Sequence, residues 1–196
     1  MVNIETFPES LSEAFEGGDV ASFQLRLKSS DKEDIINISK KLIPICHKYK
    51  VAFILNDDPE LALEVGADGV HLGQNDISLS DARTILGHNT IIGVTCNNSR
   101  HLAFDAGEEG ADYIAFGAFF PSETKETNHI ATTDIITDWV EVVEIPCVAI
   151  GGINQFNCQS IIKAGVDFLA VSSSVWNHPE GPKTAVSEFN VIFDNL

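Results

Sequence analysis

Two aspartates stand where short apolar runs give out. One run, Phe53-Ile54-Leu55, ends in Asn56-Asp57; the next, Gly69-Val70-His71-Leu72, leads into Gly73-Gln74-Asn75-Asp76. Residues 59–65 between them have the pattern of a short helix that stops at Gly66, so the stretch predicts strand, helix, strand. In a barrel of parallel strands the C-terminal strand ends share one face, and chemistry sits there. Asp57 and Asp76, with Asn56 beside them, suit a hard, oxygen-preferring cation such as Mg²⁺. That ion is usually held by one or two carboxylates plus substrate phosphates. The competing role for such acids is to cap the helices that follow.

Other polar residues also fall at strand ends. Gln24, Arg26 and Lys28 alternate along one strand and its exit, so they face the same way. Such a polar face suits a ligand site, or an edge strand open to water. Thr95 closes the run 91–95 and is either a hydroxyl donor or a helix cap. Ser122-Glu123-Thr124-Lys125 sits in a long loop over 117–132. Hydroxyls beside a lysine suit a phosphate or pyrophosphate, although a solvent-facing loop has the same composition. Gly151-Gly152 and Ser172-Ser173-Ser174 follow the last two strands. In barrels that region often binds phosphate through backbone N–H groups and a short helix start; simple tight turns are the alternative. His71 reads as a satisfied interior histidine. No Ser-His-Asp set, Cys-His pair or zinc spacing is present, and Trp139 and Trp176 fall at core spacings.

The elements that must position these residues recur along the chain. A helix over 8–16 comes first, then a strand over 20–27 and a helix over 31–49. Strands follow at 51–55, 69–72, 91–95, 113–116, 147–150 and 168–172. Helices lie between them at 59–65, from Ser78 or Ser80 to Gly87, and at 99–109, 133–143 and 155–164, with a last one over 184–194. The turns Gly66-Ala67-Asp68, Gly110-Ala111-Asp112 and Gly165-Val166-Asp167 echo one another before strands, which marks a βα array. Strands that are short apolar runs rather than alternations belong to a parallel sheet covered on both faces. The expected fold is α/β, a (β/α)₈ TIM barrel in one domain over 1–196. Seven strands are visible, so the first strand is missing or is a stub at Val2–Ile4; an open doubly wound sheet is the competing architecture.

Composition narrows the partners. The 196 residues carry 12 Lys and Arg against 29 Asp and Glu, a net charge of −17. That balance disfavours nucleic acid and anionic membrane. It also makes cations near a pocket informative, because they point to an anionic ligand. No apolar run approaches the ~18 residues of a membrane span, and the N-terminus has no signal-peptide pattern. Cys46, Cys96, Cys147 and Cys158 are far apart, as in reduced thiols of a cytoplasmic protein.

Taken together, several segments resemble the thiamine phosphate synthase family. They are Gln24-Leu25-Arg26-Leu27-Lys28, Asn56-Asp57, Gly69 to Asp76, Gly93-Val94-Thr95, Gly110 to Ile114, Ser122-Glu123-Thr124-Lys125, Ala149 to Ile153, and Val171-Ser172, in family order. Ser122 and Ala118 stand where the family usually has threonine and proline, and Thr95 replaces a frequent serine. The resemblance implies a barrel enzyme, a transferase, that joins hydroxymethylpyrimidine pyrophosphate to a plain or carboxylated hydroxyethylthiazole phosphate. It implies that Gln24, Leu25, Arg26, Leu27, Lys28, Asn56, Thr95 and Lys125 hold the pyrimidine pyrophosphate, with Arg26, Lys28 and Lys125 catalytic. Ser122, Glu123, Thr124, Gly152, Val171 and Ser172 would hold the thiazole phosphate, and Asp57 and Asp76 would bind Mg²⁺. Partners would be small phosphorylated substrates, with a homo-oligomer allowed. A thiazole tautomerase on the same fold, or a non-catalytic ligand-binding relative, are the rival readings.

Overall fold

The computed structural model describes residues 5–28, 30–121 and 130–196. Helix α1 (Phe7–Phe15) precedes β1 (Ser22–Leu25), α2 (Lys32–Lys48), β2 (Ala52–Asn56), α3 (Pro59–Val65) and β3 (Gly69–Leu72). Then come α4 (Leu79–Leu86), β4 (Ile91–Asn97), α5 (Arg100–Glu108), β5 (Tyr113–Gly117), α6 (Thr133–Val142) and β6 (Cys147–Ile150). The chain closes with α7 (Gln159–Lys163), β7 (Phe168–Ala170), α8 (Ser173–Trp176) and α9 (Pro182–Asp194).

Each strand pairs in parallel with the next, so the sheet order is the chain order from β1 to β7. A doubly wound sheet needs a reversal of strand order at a switch point. None occurs among the described residues, which removes that alternative. The sheet curls far enough that α8, which follows its last strand, reaches the first strand. Phe23 of β1, Phe7 of α1 and Trp176 of α8 form one ring cluster, with centroids 5.8 Å apart for Phe7–Phe23, 4.9 Å for Phe7–Trp176 and 6.5 Å for Phe23–Trp176. Among the described residues β1 and β7 do not pair, so these seven strands make a curled half-barrel. The stub expected at Val2–Ile4 lies outside the described residues.

One face of the sheet packs against the helices in a single core. Phe53, Val70, Ile92, Ile114 and Phe116 are fully buried, and Leu11, Leu42, Ile136 and Ile161 meet them from the helices. The recurring Gly-x-Asp turns hold the entry end of this sheet. Asp68 accepts from the Phe53 N–H at 2.7 Å, Asp112 from Ile92 at 2.7 Å and Asp167 from Cys147 at 2.8 Å. Each carboxylate thus reaches the start of the preceding strand and satisfies a backbone donor there.

Three expected spans are clearly shorter in the structure: the strand expected over 168–172 is Phe168–Ala170, since Ser172 already stands at the N-cap of α8, and two others have equally local reasons. The strand expected over 20–27 is Ser22–Leu25, because the β1–β2 register ends at Leu25↔Leu55 and Arg26 onward leaves the ladder. The helix expected over 155–164 is Gln159–Lys163. Asn154 Oδ1 accepts from Phe156 N and Asn157 Oδ1 from Asn154 N. Such side-chain turns compete with helix hydrogen bonding.

Candidate functional site

The C-terminal ends of β1 to β4 bring the first group of polar residues together. Asp57 and Asp58, adjacent after β2, have different tasks. Asp58 Oδ1 accepts from Leu61 N and caps α3. Asp57 takes a left-handed conformation, φ 69°, with its N–H bonded to the His71 carbonyl at 2.9 Å. Asparagine and aspartate tolerate that region best among residues with a Cβ. The next helix, α4, is capped by Ser78, so Asp76 is not needed there; its carboxylate accepts from Gly73 N at 2.6 Å. The capping role thus falls to Asp58 and Ser78, not to Asp57 and Asp76.

The two remaining carboxyls face each other. Withdrawal from water raises the Asp57 pKa above its ordinary value, and a hydrogen bond and charge repulsion from Asp76 raise it further, while Arg26 and an Asn56 hydrogen bond pull the other way. Like charges crowded so that one resists ionisation make a place short of positive charge. An all-oxygen donor set of this kind fits a hard divalent cation. Gln24 Nε2 donates to Asn56 Oδ1 at 2.6 Å, which orients the Asn56 amide toward Asp57. Among the described residues no cluster of three or more His, Cys, Asp or Glu is present, so the pair would need ligand oxygens to complete a coordination shell.

The polar face of the first strand is as expected: Gln24, Arg26 and Lys28 are exposed. Leu25 is buried in the core cluster and the half-buried Leu27 packs against it, so their contacts with a ligand would be through backbone. Thr95, half-buried on β4, is not a helix cap, because Ser99 caps α5. Its Oγ1 lies 2.7 Å from His71 Nε2, and His71 Nδ1 lies 2.8 Å from the Tyr113 hydroxyl. The interior reading of His71, 7 % exposed, matches the structure.

A second cluster forms after β5, β6 and β7. Gly151 and Gly152 have φ 96° and 65°, and residues 118–121 lie directly on them: a Cβ on Gly152 would meet the Phe120 carbonyl oxygen at 2.7 Å, and one on Gly151 would overlap Ala118. Asn157 Nδ2 donates to the Gly152 carbonyl at 3.0 Å, and Ser174 Oγ to Ile153 at 3.0 Å. Val171 is half-buried and Ser172 exposed, immediately before α8. Ser122, Glu123, Thr124 and Lys125 lie outside the described residues. The described chain on either side is anchored, with Phe120 N bonded to Gly151 O and Ala131 N to Ala118 O.

A family model described as thiamine monophosphate synthase matches residues 2–175. The chain belongs to the thiamine monophosphate synthase family. It is 52 % identical over 186 residues to a thiamine-phosphate synthase of Rhodospirillum centenum, covering 95 % of this chain and 90 % of that one. A second, from Hyphomonas neptunium, is 46 % identical over 198 residues, covering 99 % and 90 %. Among solved structures, a thiamine phosphate pyrophosphorylase from Pyrococcus furiosus superposes with a TM-score of 0.86 at 36 % identity, covering 96 % of this chain and 89 % of that chain. This is a family of transferases, and its barrel-like α/β architecture accords with the sheet order found here. Among the described residues no helix is long and apolar enough to cross a membrane.

Sequence reasoning did not single out Tyr113 or Gln74 in this family member. Gln74 Nε2 donates to the Thr95 carbonyl at 2.7 Å, and the Tyr113 hydroxyl bonds to His71 Nδ1. The available signal for Tyr113 was a phenol at the entry of an otherwise apolar strand. Its partner signal was Gly93, which faces it across the β4–β5 register.

Proposed function

We propose that this chain is a thiamine-phosphate synthase. It condenses 4-amino-2-methyl-5-hydroxymethylpyrimidine pyrophosphate with hydroxyethylthiazole phosphate, plain or carboxylated, and releases pyrophosphate, together with carbon dioxide when the thiazole is carboxylated. The observation that carries the reading is the convergence of Asp57, Asp76, Arg26 and Asn56 at neighbouring strand ends, in a chain so similar to proteins of that name.

In this reading Gln24, Arg26, Lys28, Asn56, Thr95 and Lys125, with the backbone of Leu25 and Leu27, hold the pyrimidine pyrophosphate. Ser122, Glu123, Thr124, Gly152, Val171 and Ser172 hold the thiazole phosphate. Asp57 and Asp76 would hold Mg²⁺, which would supply charge neutralisation for the departing pyrophosphate. Arg26, Lys28 and Lys125 neutralise the remaining charge. The bond between the pyrimidine methylene carbon and the pyrophosphate oxygen breaks, and the electron pair leaves with pyrophosphate. The thiazole nitrogen then forms the new C–N bond at the cationic methylene carbon. Preorganised charge and positioning do the work, and no protein nucleophile is required. The site works within one domain, a (β/α)₈ barrel with its eighth strand between β7 and β1. Exposed Ser22, Gln24, Phe168 and Ala170 along those two strands support a place for it. The four cysteines are free thiols, which agrees with a cytoplasmic location.

The test is an assay for thiamine phosphate from both substrates, with and without Mg²⁺. Product is expected only when both substrates and the metal are present, and Lys125→Ala should lower turnover on the order of a hundredfold, as for loss of one preorganised donor. Substrate binding without any product would overturn the reading in favour of a ligand-binding relative.

A further inference from the structure

Three polar side chains form a continuous line across β3, β4 and β5: Thr95, His71 and Tyr113. The imidazole stacks on the phenol ring, with centroids 5.5 Å apart and 24° between planes. Room for this contact is built into the strand between them. Gly93 pairs with His71 on one side and Tyr113 on the other, and any Cβ there would overlap the tyrosine ring.

A neutral imidazole donates from one nitrogen and accepts at the other, so this line of bonds has a direction. With the proton on Nε2, His71 donates to Thr95 Oγ1. The threonine hydrogen is then left for a further acceptor. With the proton on Nδ1, Thr95 must donate to Nε2, and it offers an anion nothing but lone pairs. Burial raises the Tyr113 pKa, so the phenol keeps its hydrogen and has it to give to Nδ1. An anionic substrate beside Thr95 requires the first arrangement.

We propose that Tyr113 and His71 are positioning residues for the pyrophosphate-bearing substrate. Tyr113 fixes the Nε2–H tautomer of His71, and His71 aims the Thr95 hydroxyl hydrogen at the ligand. This rests on the placement of Thr95 in the proposed site.

Nitrogen-15 NMR of histidine-labelled, substrate-free protein tests the tautomer directly, with the His71 signal assigned by its absence from His71→Asn. The Nε2–H form is expected, and Tyr113→Phe should lose that preference. An Nδ1–H form, or a ring protonated on both nitrogens at neutral pH, overturns the proposal even if the enzyme makes thiamine phosphate. Kinetics supply the second readout. Tyr113→Phe and Thr95→Val should each lower kcat/KM for the pyrimidine pyrophosphate by about tenfold, the scale of one hydrogen bond. The double variant should lose no more than either single one, because both remove the same donor. Thr95→Ser should keep near-normal activity and stay sensitive to Tyr113→Phe. Fully additive losses would mean that the tyrosine acts only on packing. If the unmodified protein makes no product, the assignment of function fails while the tautomer measurement still stands.

Discussion

Asp57 illustrates what one side chain contributes when its neighbours are arranged against it. Its proton affinity is raised by withdrawal from water and by Asp76. A carboxyl that binds its proton more tightly folded than unfolded costs stability as pH rises from the unfolded pKa through the folded one. Below the ordinary carboxylate range the cost is absent. Asp57→Asn removes it while keeping a residue that tolerates φ 69°. In chelator-treated protein this variant should melt at a higher temperature than the wild type at neutral pH, and the difference should vanish toward pH ~3, below the ordinary pKa of an aspartate. Added Mg²⁺ should raise the melting temperature of the wild type and not of the variant. A variant less stable than wild type at neutral pH would mean that the two carboxyls do not repel. The sequence made the pair legible, but not which of Asp57 and Asp58 would cap α3. That choice depends on one backbone angle, and a residue type that permits an angle does not dictate it.

The aspartates at the other end of the sheet work at the scale of elements. The repeat of Gly66-Ala67-Asp68, Gly110-Ala111-Asp112 and Gly165-Val166-Asp167 was legible as turn chemistry of a βα array, and the seven strands were legible as short apolar runs. The reach of each carboxylate to the preceding strand was not, because that contact joins residues 15 to 20 apart across the sheet. Asp112 also engages an arginine: it bonds Ile92 N and pairs with Arg83, whose guanidinium also holds the carbonyls of Thr90 and Gly110. Asp112→Ala leaves the Ile92 N–H without its acceptor and Arg83 without its counter-ion. The loss should be about 2–3 kcal/mol, the scale of charged hydrogen bonds in partly buried settings, read from urea melts. Turnover per folded molecule should hardly change, since the substitution is at the sheet's entry end. A stability change under ~0.5 kcal/mol, typical of a neutral surface substitution, would show that the latch is ornamental. The role of Tyr113 was hard to read for a related reason: a strand aromatic reads as packing until the histidine two strands away, across Gly93, is known.

For the whole molecule the governing quantity is the net charge of −17. Ion pairs such as Arg83–Asp112, Lys183–Glu16 and Lys32–Asp58 consume cations, and with 29 acids against 12 bases most carboxylates have no base to pair with. Self-repulsion of this kind opposes the compact state. Its reach shrinks with salt, from about 30 Å at 0.01 M to about 3 Å at 1 M ionic strength. The urea midpoint should therefore rise as NaCl is increased across that range. The same field draws divalent cations toward Asp57 and Asp76, so Mg²⁺ affinity should fall over the same titration. Closure of the barrel was not legible from composition or periodicity, but it bears on the size of both effects, because a wider gap between β7 and β1 lets more water and salt reach the site. The two measurements have opposite signs from one cause. A midpoint that stays flat or falls with NaCl would remove self-repulsion as a term in stability, and unchanged Mg²⁺ affinity would confine the metal's attraction to its immediate ligands.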